Sequence, residues 1–230
     1  MIESDAVVYV VDDDPSVRRA LSRLVRSVGL PVETFPTAKA FLDAPLGDQP
    51  ACLVLDVRLP GPSGLDLQAA LREARRPLPI VFITGHASVS TSVRAMKGGA
   101  VDFLQKPFND QELLDCIQRA IETSRRQRAD QAEQAELGQR HATLTGRERQ
   151  VLALVVTGML NKQIAGELGI AEKTIKVHRA RVMDKMRASS VADLVRLAEK
   201  LGLRGAKTMT GRSGARRYDQ GPMFPPVRLA

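Results

Sequence analysis

Short runs of aliphatic residues recur through the first half of the chain. Three nearly continuous runs are typical of strands buried on both faces, and they lie at Ala6–Val11, Leu53–Val57 and Ile80–Ile83. Weaker strand candidates are Val32–Phe35 and Val101–Leu104. Amphipathic segments separate or follow the strands, near residues 15–28, 37–43, 64–75, 88–97 and 110–125. This alternation predicts an α/β fold, a doubly wound (βα)5 domain whose parallel sheet has helices on both faces.

The second half has a different pattern, with no strand signal between Thr145 and Leu203. Thr145-Gly146-Arg147-Glu148 has the form of a capping box in front of an apolar-periodic helix. Two further helices are predicted at Asn161–Leu168 and Glu172–Met186, joined by a tight turn at Gly169. Helix, turn and helix at this spacing are the layout of a helix-turn-helix. We therefore predict an all-α second domain.

Two polar segments complete the predicted organisation. Residues 123–143 are rich in Arg, Gln, Glu and Ala, which predicts a helical linker that could continue the fifth helix and then break at Gly138, although the sequence does not fix where the helix stops. Residues 204–230 are rich in Gly, Arg and Pro and are expected to be disordered. The predicted domains are residues 1–122, the linker 123–143, residues 144–203 and the tail 204–230.

Composition narrows the cellular setting. No apolar run approaches the roughly 20 residues needed to cross a bilayer, and the first residues do not resemble a secretory signal. We therefore expect a cytoplasmic protein without a membrane partner. Cys52 and Cys116 lie far apart in apolar stretches and are expected to be buried free thiols.

The net charge of +8 is unevenly distributed. Residues 1–120 carry 13 basic and 15 acidic side chains, and residues 121–144 carry four of each. Residues 145–203 carry 11 basic and 6 acidic side chains, and the tail carries 6 and 1. All of the positive excess lies after residue 144, which favours a polyanion-binding second half.

Polar residues lie at or just after the ends of four of the five predicted strands. Asp12, Asp13 and Asp14 follow the first strand, Asp56 and Thr84 lie at the ends of the third and fourth, and Lys106 follows the fifth. Clustered carboxylates are costly unless a hard cation such as Mg²⁺ offsets their repulsion. Asp56 is then a candidate nucleophile able to form an acyl phosphate, with Lys106 neutralising phosphoryl oxygens and the Thr84 hydroxyl donating to another.

Each of these residues also has a plainer interpretation. An Asp after a strand often caps a helix, which applies most directly to Asp14 before Pro15, and a Lys-Pro pair often ends an element. The whole set in register favours the functional interpretation.

Residues 5–122 resemble the receiver domains of bacterial two-component systems. The matching motifs are Val10-Val11-Asp12-Asp13-Asp14, Asp56 to Gly64 (DVRLPGPSG), Thr84-Gly85-His86 and Lys106-Pro107-Phe108. The resemblance implies that Asp56 accepts phosphate from a sensor histidine kinase, with Mg²⁺ held by Asp12, Asp13, Asp56 and the backbone carbonyl of Arg58. It also implies that Phe103 is a switch aromatic and that the face of helix four, strand five and helix five dimerises. The alternative for Phe103 is an ordinary core aromatic.

The helix Glu172–Met186 separates into two faces at about 100° per residue. Ile175, Val182 and Met186 should pack on the core. The outward residues could enter a major groove, with Lys176 at base acceptors and Val177 and Ala180 at thymine methyls. Lys173, Arg181 and Lys185 could neutralise phosphates. The alternative is a basic but merely solvated surface.

Residues 144–203 resemble the LuxR-type DNA-binding domain. The matching stretches are Leu144 to Leu152 (LTGRERQVL), Asn161 to Ala165 (NKQIA) and Thr174 to Arg179 (TIKVHR). The resemblance implies that Lys176, Val177 and Ala180 face bases and that a fourth helix near Val191–Leu201 makes dimer contacts. Residues implied to lie near the DNA backbone are Asn161, Lys162, Thr174, His178, Arg179, Arg181 and Lys185.

The two domains together resemble the FixJ/NarL-like response regulators, and FixJ more closely because of Thr84-Gly85-His86-Ala87 and Val177-His178-Arg179-Ala180. The predicted function is a transcriptional regulator that is phosphorylated on Asp56, forms a homodimer and binds double-stranded promoter DNA. One alternative is a phosphate sink or interaction module with nonspecific DNA binding, and another is DNA binding that is independent of phosphate. A dedicated enzyme is not predicted, because no nucleophile–His–acid set or cofactor loop is present; only self-phosphorylation and dephosphorylation at Asp56 are expected.

Overall fold

A computed structural model describes residues 5–76, 78–86 and 88–203. Its contacts divide the chain into two compact units, Met1–Glu136 and Leu137–Ala230. The tail 204–230, for which the sequence predicts disorder, lies outside the described residues. No helix in the described ranges is long and apolar enough to cross a membrane.

The first unit is a five-stranded parallel sheet with helices on both faces. Its strands are β1 (Val7–Val11), β2 (Val32–Phe35), β3 (Ala51–Asp56), β4 (Ile80–Thr84) and β5 (Asp102–Gln105), in the order β2-β1-β3-β4-β5. The helices are α1 (Pro15–Ser27), α2 (Ala38–Leu42), α3 (Gly64–Glu73), α4 (Val89–Lys97) and α5 (Asp110–Ala142), of which α5 extends past Glu136 into the second unit. The predicted doubly wound fold is confirmed, with strand limits shifted by no more than two residues.

The aliphatic runs are nearly continuous because each strand buries both of its faces. In β1, Val8 and Val10 pack with α1 and α5, whereas Tyr9 and Val11 pack with α2, α3 and α4. Successive side chains of a strand point to opposite faces of the sheet, so two separate cores draw on the same strand. This packing places the carboxyl ends of β1 and β3 side by side.

Helix α5 continues without a break through Gly138 to Ala142. The expected continuation of the fifth helix is therefore confirmed, and the expected break at Gly138 is wrong. A glycine costs a helix about 1 kcal/mol relative to alanine, which is too little to end it among good helix formers. The neighbouring Leu137 is also buried, which further holds this part of the helix in place.

The second unit contains α6 (Gly146–Val155), α7 (Asn161–Leu168), α8 (Glu172–Met186) and α9 (Val191–Lys200). The predicted capping box is present: the Glu148 N–H donates to Thr145 Oγ1 at 3.3 Å, and the Thr145 N–H donates to Glu148 Oε2 at 2.8 Å. Gly169 ends α7 at φ +65, a left-handed conformation that glycine adopts without steric cost. The described part of this unit is all-α, and α7 and α8 form the predicted helix-turn-helix around one apolar core.

Candidate functional site

Three carboxylates meet at the carboxyl edge of the sheet. Asp12 is the first residue after β1, and Asp56 is the last residue of the adjacent strand β3. Asp12, Asp13 and Asp56 each present an oxygen within 4.8 Å of the others. Asp12 is completely buried and Asp13 is exposed, so the cluster reaches from the interior to solvent.

Lys106 joins two of these carboxylates. Its Nζ donates to Asp12 Oδ2 at 2.7 Å and to Asp56 Oδ2 at 2.8 Å. Burial lowers the pKa of Lys106, but the hydrogen bonds to Asp12 and Asp56 outweigh that effect and the net pKa is raised. Burial raises the pKa of the Asp12 carboxyl, and Lys106 offsets only part of that rise. The ammonium is therefore a fixed positive charge facing Asp56.

Thr84 and Phe103 lie on the two strands beside this cluster. Thr84 is the last residue of β4, fully buried, and its Oγ1 accepts a hydrogen bond from the His86 N–H at 3.3 Å. Phe103 lies on β5, half-buried, with its ring centroid 6.2 Å from that of Phe82. Thr84 thus borders the acidic cluster, while Phe103 packs on the core in the conformation described.

The chain after Asp56 folds closely around that residue. The Arg58 N–H donates to Asp56 Oδ1 at 2.9 Å, and the Gly64 N–H donates to the Val57 carbonyl at 3.0 Å. A Cβ atom at Gly64 would lie 2.2 Å from the Asp56 carbonyl oxygen, so only glycine allows α3 to begin at this distance. The motif DVRLPGPSG therefore supplies both the Asp56 carboxylate and the glycine, Gly64, that allows the backbone to pass close to Asp56.

The acidic cluster has the donor chemistry that Mg²⁺ prefers. All three candidate ligands are carboxylates, and their oxygens lie within 4.8 Å of one another, a separation that one small cation can bridge. The Asp12 and Asp56 oxygens that accept protein hydrogen bonds retain further lone pairs for a metal. The residues present therefore fit a magnesium ion.

In the second unit, α8 has one buried and one exposed face. Ile175, Val182 and Met186 are fully buried, as predicted for the core face. The outward residues are all exposed: Lys173, Thr174, Lys176, Val177, Ala180 and Arg181. Val177 leaves 46% of its surface in solvent. An exposed basic face with apolar positions at its centre has the composition of a major-groove surface.

Three of the other predicted DNA contacts, Asn161, His178 and Arg179, are more enclosed. Arg179 Nη1 donates to Asn161 Oδ1 at 2.8 Å, which joins α8 to the start of α7. His178 is half-buried, and its Nδ1 has no hydrogen-bond partner among the described residues. Lys162 is exposed. Asn161, His178 and Arg179 are therefore partly buried residues at the edge of the exposed face of α8.

Lys185 has an internal partner. Its Nζ lies 2.6 Å from Glu148 Oε2 and 3.1 Å from the Thr143 carbonyl oxygen. Glu148 is only 2% exposed, and hydrogen bonds from Lys185 and from the Thr145 N–H lower its pKa to about 2. The structure thus uses the Lys185 ammonium to neutralise a buried carboxylate, a role that the sequence interpretation did not include.

Sequence reasoning also missed Arg18. This residue lies in α1, and its guanidinium donates to the carbonyl oxygens of Asp12 and Asp13. Its position one turn after the acidic residues was visible in the sequence, but an arginine there is equally compatible with a solvated helix surface. The signal was therefore not specific.

Comparison with known families and proteins agrees with both units. Residues 8–118 match the response regulator receiver domain, and residues 142–198 match the bacterial regulatory proteins of the luxR family. Nodulation protein W of Bradyrhizobium diazoefficiens is 54% identical over 198 residues, covering 86% of this chain and 87% of that protein. Transcriptional regulatory protein FixJ of the same species is 44% identical over 196 residues, covering 85% and 96%.

Solved structures give the same assignment. The response regulator StyR has 50% sequence identity and a TM-score of 0.75, covering 86% of this chain and all of that chain. Full-length FixJ from B. japonicum has 43% identity and a TM-score of 0.52, covering 86% and 98%. The chain therefore belongs to the FixJ/NarL-like two-component response regulators, which join a receiver domain to a LuxR-type helix-turn-helix DNA-binding domain.

Proposed function

We propose that this chain accepts a phosphoryl group on Asp56 from a sensor histidine kinase and, once phosphorylated, dimerises and binds promoter DNA as a transcriptional regulator. The observation that carries the proposal is the meeting of Asp12, Asp13 and Asp56 with the Lys106 ammonium at one edge of the sheet. Its similarity to the transcriptional regulatory protein FixJ supports this assignment.

The proposed chemistry uses groups that already face one another. An Asp56 carboxylate oxygen attacks the phosphorus, the bond from phosphorus to the kinase histidine nitrogen breaks, and an acyl phosphate forms. Asp12, Asp13, Asp56 and the Arg58 carbonyl would hold Mg²⁺, which neutralises charge on the phosphoryl oxygens. Lys106, now bonded to Asp56 Oδ2, would pair with one phosphoryl oxygen, and the Thr84 hydroxyl would turn toward another.

Phosphorylation would act by changing the surface of the receiver. It adds about 1.5 to 2 negative charges at Asp56, and an inward turn of Thr84 and Phe103 would couple that charge to α4 and β5. Helix α4 exposes Val89 by 82%, Val93 by 43% and Met96 by 47%. These apolar side chains share one helix face, and their exposure supports a dimer in which two copies would bury them against each other.

Dimerisation would raise DNA affinity without new base contacts. Two helix-turn-helix units held together read two inverted half-sites, and the second unit binds at a high effective concentration. On each unit we propose Lys176, Val177 and Ala180 as the base-facing residues. Seven further residues would lie near the phosphates. Four of them are exposed, Lys162, Lys173, Thr174 and Arg181, and three lie at the margin, Asn161, His178 and Arg179.

The Asp56→Asn variant tests the phosphorylation step. Promoter affinity is measured with and without a small phosphodonor and Mg²⁺, and we expect the donor to tighten binding of the wild type only. Equal tightening in both proteins would refute the proposed role of Asp56.

A pair of lysine variants tests how DNA is read. Lys176→Ala should reduce discrimination between operator and mutated operator by about 1–3 kcal/mol. Lys173→Ala, on the same exposed face, should weaken binding to all DNA alike and lower its salt dependence. Uniform loss in both variants would instead favour nonspecific electrostatic binding.

A further inference from the structure

Arg18 connects α1 to the loop that carries Asp12 and Asp13. The side chain is half-buried, and its Nη1 donates to the Asp12 carbonyl oxygen at 2.6 Å and to the Asp13 carbonyl oxygen at 2.9 Å. The backbone of Arg18 is itself fixed in the first turn of α1, because its N–H donates to the Asp14 carbonyl at 3.1 Å. One nitrogen on a helix therefore holds two successive peptide groups of the loop.

The two carboxylates of this loop are held in different ways. Asp12 Oδ1 accepts from the Asp14 N–H at 2.9 Å, and Asp12 Oδ2 accepts from Lys106, so hydrogen bonds fix that side chain directly. The Asp13 carboxylate is exposed and receives no hydrogen bond from another described residue. Its direction therefore depends on the backbone from which it projects, and Arg18 is the side chain that holds that backbone.

We propose that Arg18 is a positioning residue for the metal site, which keeps the Asp13 carboxylate aimed at the ion shared with Asp12 and Asp56. The inference rests on the proposed function, since it gives Asp13 the role of a Mg²⁺ ligand. Arg18 acts through the two carbonyls rather than by contact with the carboxylates. Partners that orient a metal ligand from outside the coordination sphere are worth about 10- to 100-fold in metal affinity.

The test compares Mg²⁺ binding by three variants of the full chain in the absence of phosphodonor. Arg18→Met removes the donors and keeps the aliphatic stem, while Arg18→Lys keeps the charge and a single donor group. Arg19→Met is the matched control, because Arg19 is the next residue of α1 and is exposed, and its side chain makes no hydrogen bond or ion pair to another described residue. Mg²⁺ titrations followed by amide chemical shifts give the dissociation constants.

We expect Arg18→Met to weaken Mg²⁺ binding by about 10-fold or more, Arg18→Lys to recover part of the loss, and Arg19→Met to match the wild type. Phosphorylation by a small phosphodonor should need more Mg²⁺ in Arg18→Met but reach the wild-type rate at saturating Mg²⁺. That separation of metal requirement from maximal rate is not expected of a residue that only stabilises the fold.

Two results would overturn the inference while leaving the proposed function intact. One is equal Mg²⁺ affinity in Arg18→Met and Arg19→Met. The other is a rate that stays low at saturating Mg²⁺ together with faster amide exchange throughout β1, which would make Arg18 a residue of general stability. Absence of Mg²⁺ binding by the wild type would instead contradict the proposed function and, with it, this inference.

Discussion

Replacing Lys185 by Met should destabilise the second unit because it leaves the Glu148 carboxylate buried without its cation. The Nζ of Lys185 lies 2.6 Å from Glu148 Oε2, and the Glu148 side chain is 2% exposed. The pKa of Glu148 falls from 4.5 to about 2, which corresponds to roughly 3 kcal/mol at 1.36 kcal/mol per pKa unit; Lys185 is the largest cause of this fall, and hydrogen bonds from Thr145 supply another part that the variant keeps. Lys185 is 31% exposed, so water compensates part of this energy and we expect a loss of about 2 kcal/mol.

Amide hydrogen exchange resolved by peptide measures this loss in the second unit alone. A loss of about 2 kcal/mol corresponds to roughly 30-fold faster exchange in α6 and α8 under conditions where exchange reports the opening equilibrium. Lys176→Met is the matched control, because Lys176 lies on the same helix, is exposed, and only approaches Glu172 at 3.5 Å. Loss of that surface pair should change stability by less than about 0.5 kcal/mol.

The same ion pair predicts a pH dependence. Because folding depresses the pKa of Glu148, its stabilising contribution is complete above about pH 4.5 and is lost as the pH falls toward about 2. A carboxyl NMR titration should find Glu148 still ionised at pH 3 in the wild type and titrating nearer its ordinary value in Lys185→Met. Equal exchange in the Lys185 and Lys176 variants, or a wild-type Glu148 that titrates near pH 4.5, would refute the reasoning.

Three further changes test other parts of the structure. Gly64→Ala places a Cβ 2.2 Å from the Asp56 carbonyl oxygen. We therefore expect thermal unfolding to show a free energy of unfolding lower by about 1–3 kcal/mol, and phosphorylation by a small phosphodonor to be slower. Wild-type values for both would contradict the close approach. Val93→Asp puts a charge into the exposed apolar face of α4 that contains Val89, Val93 and Met96, and it should abolish the phosphodonor-induced dimers seen by light scattering. An unchanged dimer would place the interface elsewhere. Gly138→Ala has open space for its Cβ, and alanine stabilises a helix interior by about 1 kcal/mol relative to glycine. We therefore expect amide exchange in residues 132–142 to slow by a few-fold. Unchanged exchange would indicate that helix stability does not limit exchange in this segment.

The fold could be predicted from the sequence where one pattern decided the structure. Continuous aliphatic runs such as Ala6–Val11 predicted strands buried on both faces, and β1 buries all five of its residues. The spacing of Ile175, Val182 and Met186 predicted the buried face of α8 for the same reason, because helical periodicity alone determines which side chains share a face.

Features that depend on contacts between distant residues could not be predicted in this way. Glu148 and Lys185 are 37 residues apart, and nothing in either local pattern indicates that packing of α6 against α8 brings them together. Arg18 is similar, since its role depends on two backbone carbonyls whose direction the sequence does not encode. Lys106 was predicted to neutralise phosphoryl oxygens at Asp56, but its simultaneous contact with Asp12 depends on the packing of distant strands and was not predicted.

The buried end of Lys185 also sets how α8 is rotated about its own axis. Lys176 and Lys185 are nine residues apart, and at about 100° per residue they project in directions roughly 180° apart. Because Lys185 is fastened to Glu148 on the inner side, any rotation of α8 that turned Lys176 away from solvent would pull the ammonium from its carboxylate. The ion pair of Lys185 with Glu148 therefore fixes the rotation of α8 and keeps the Lys176 side chain directed toward solvent.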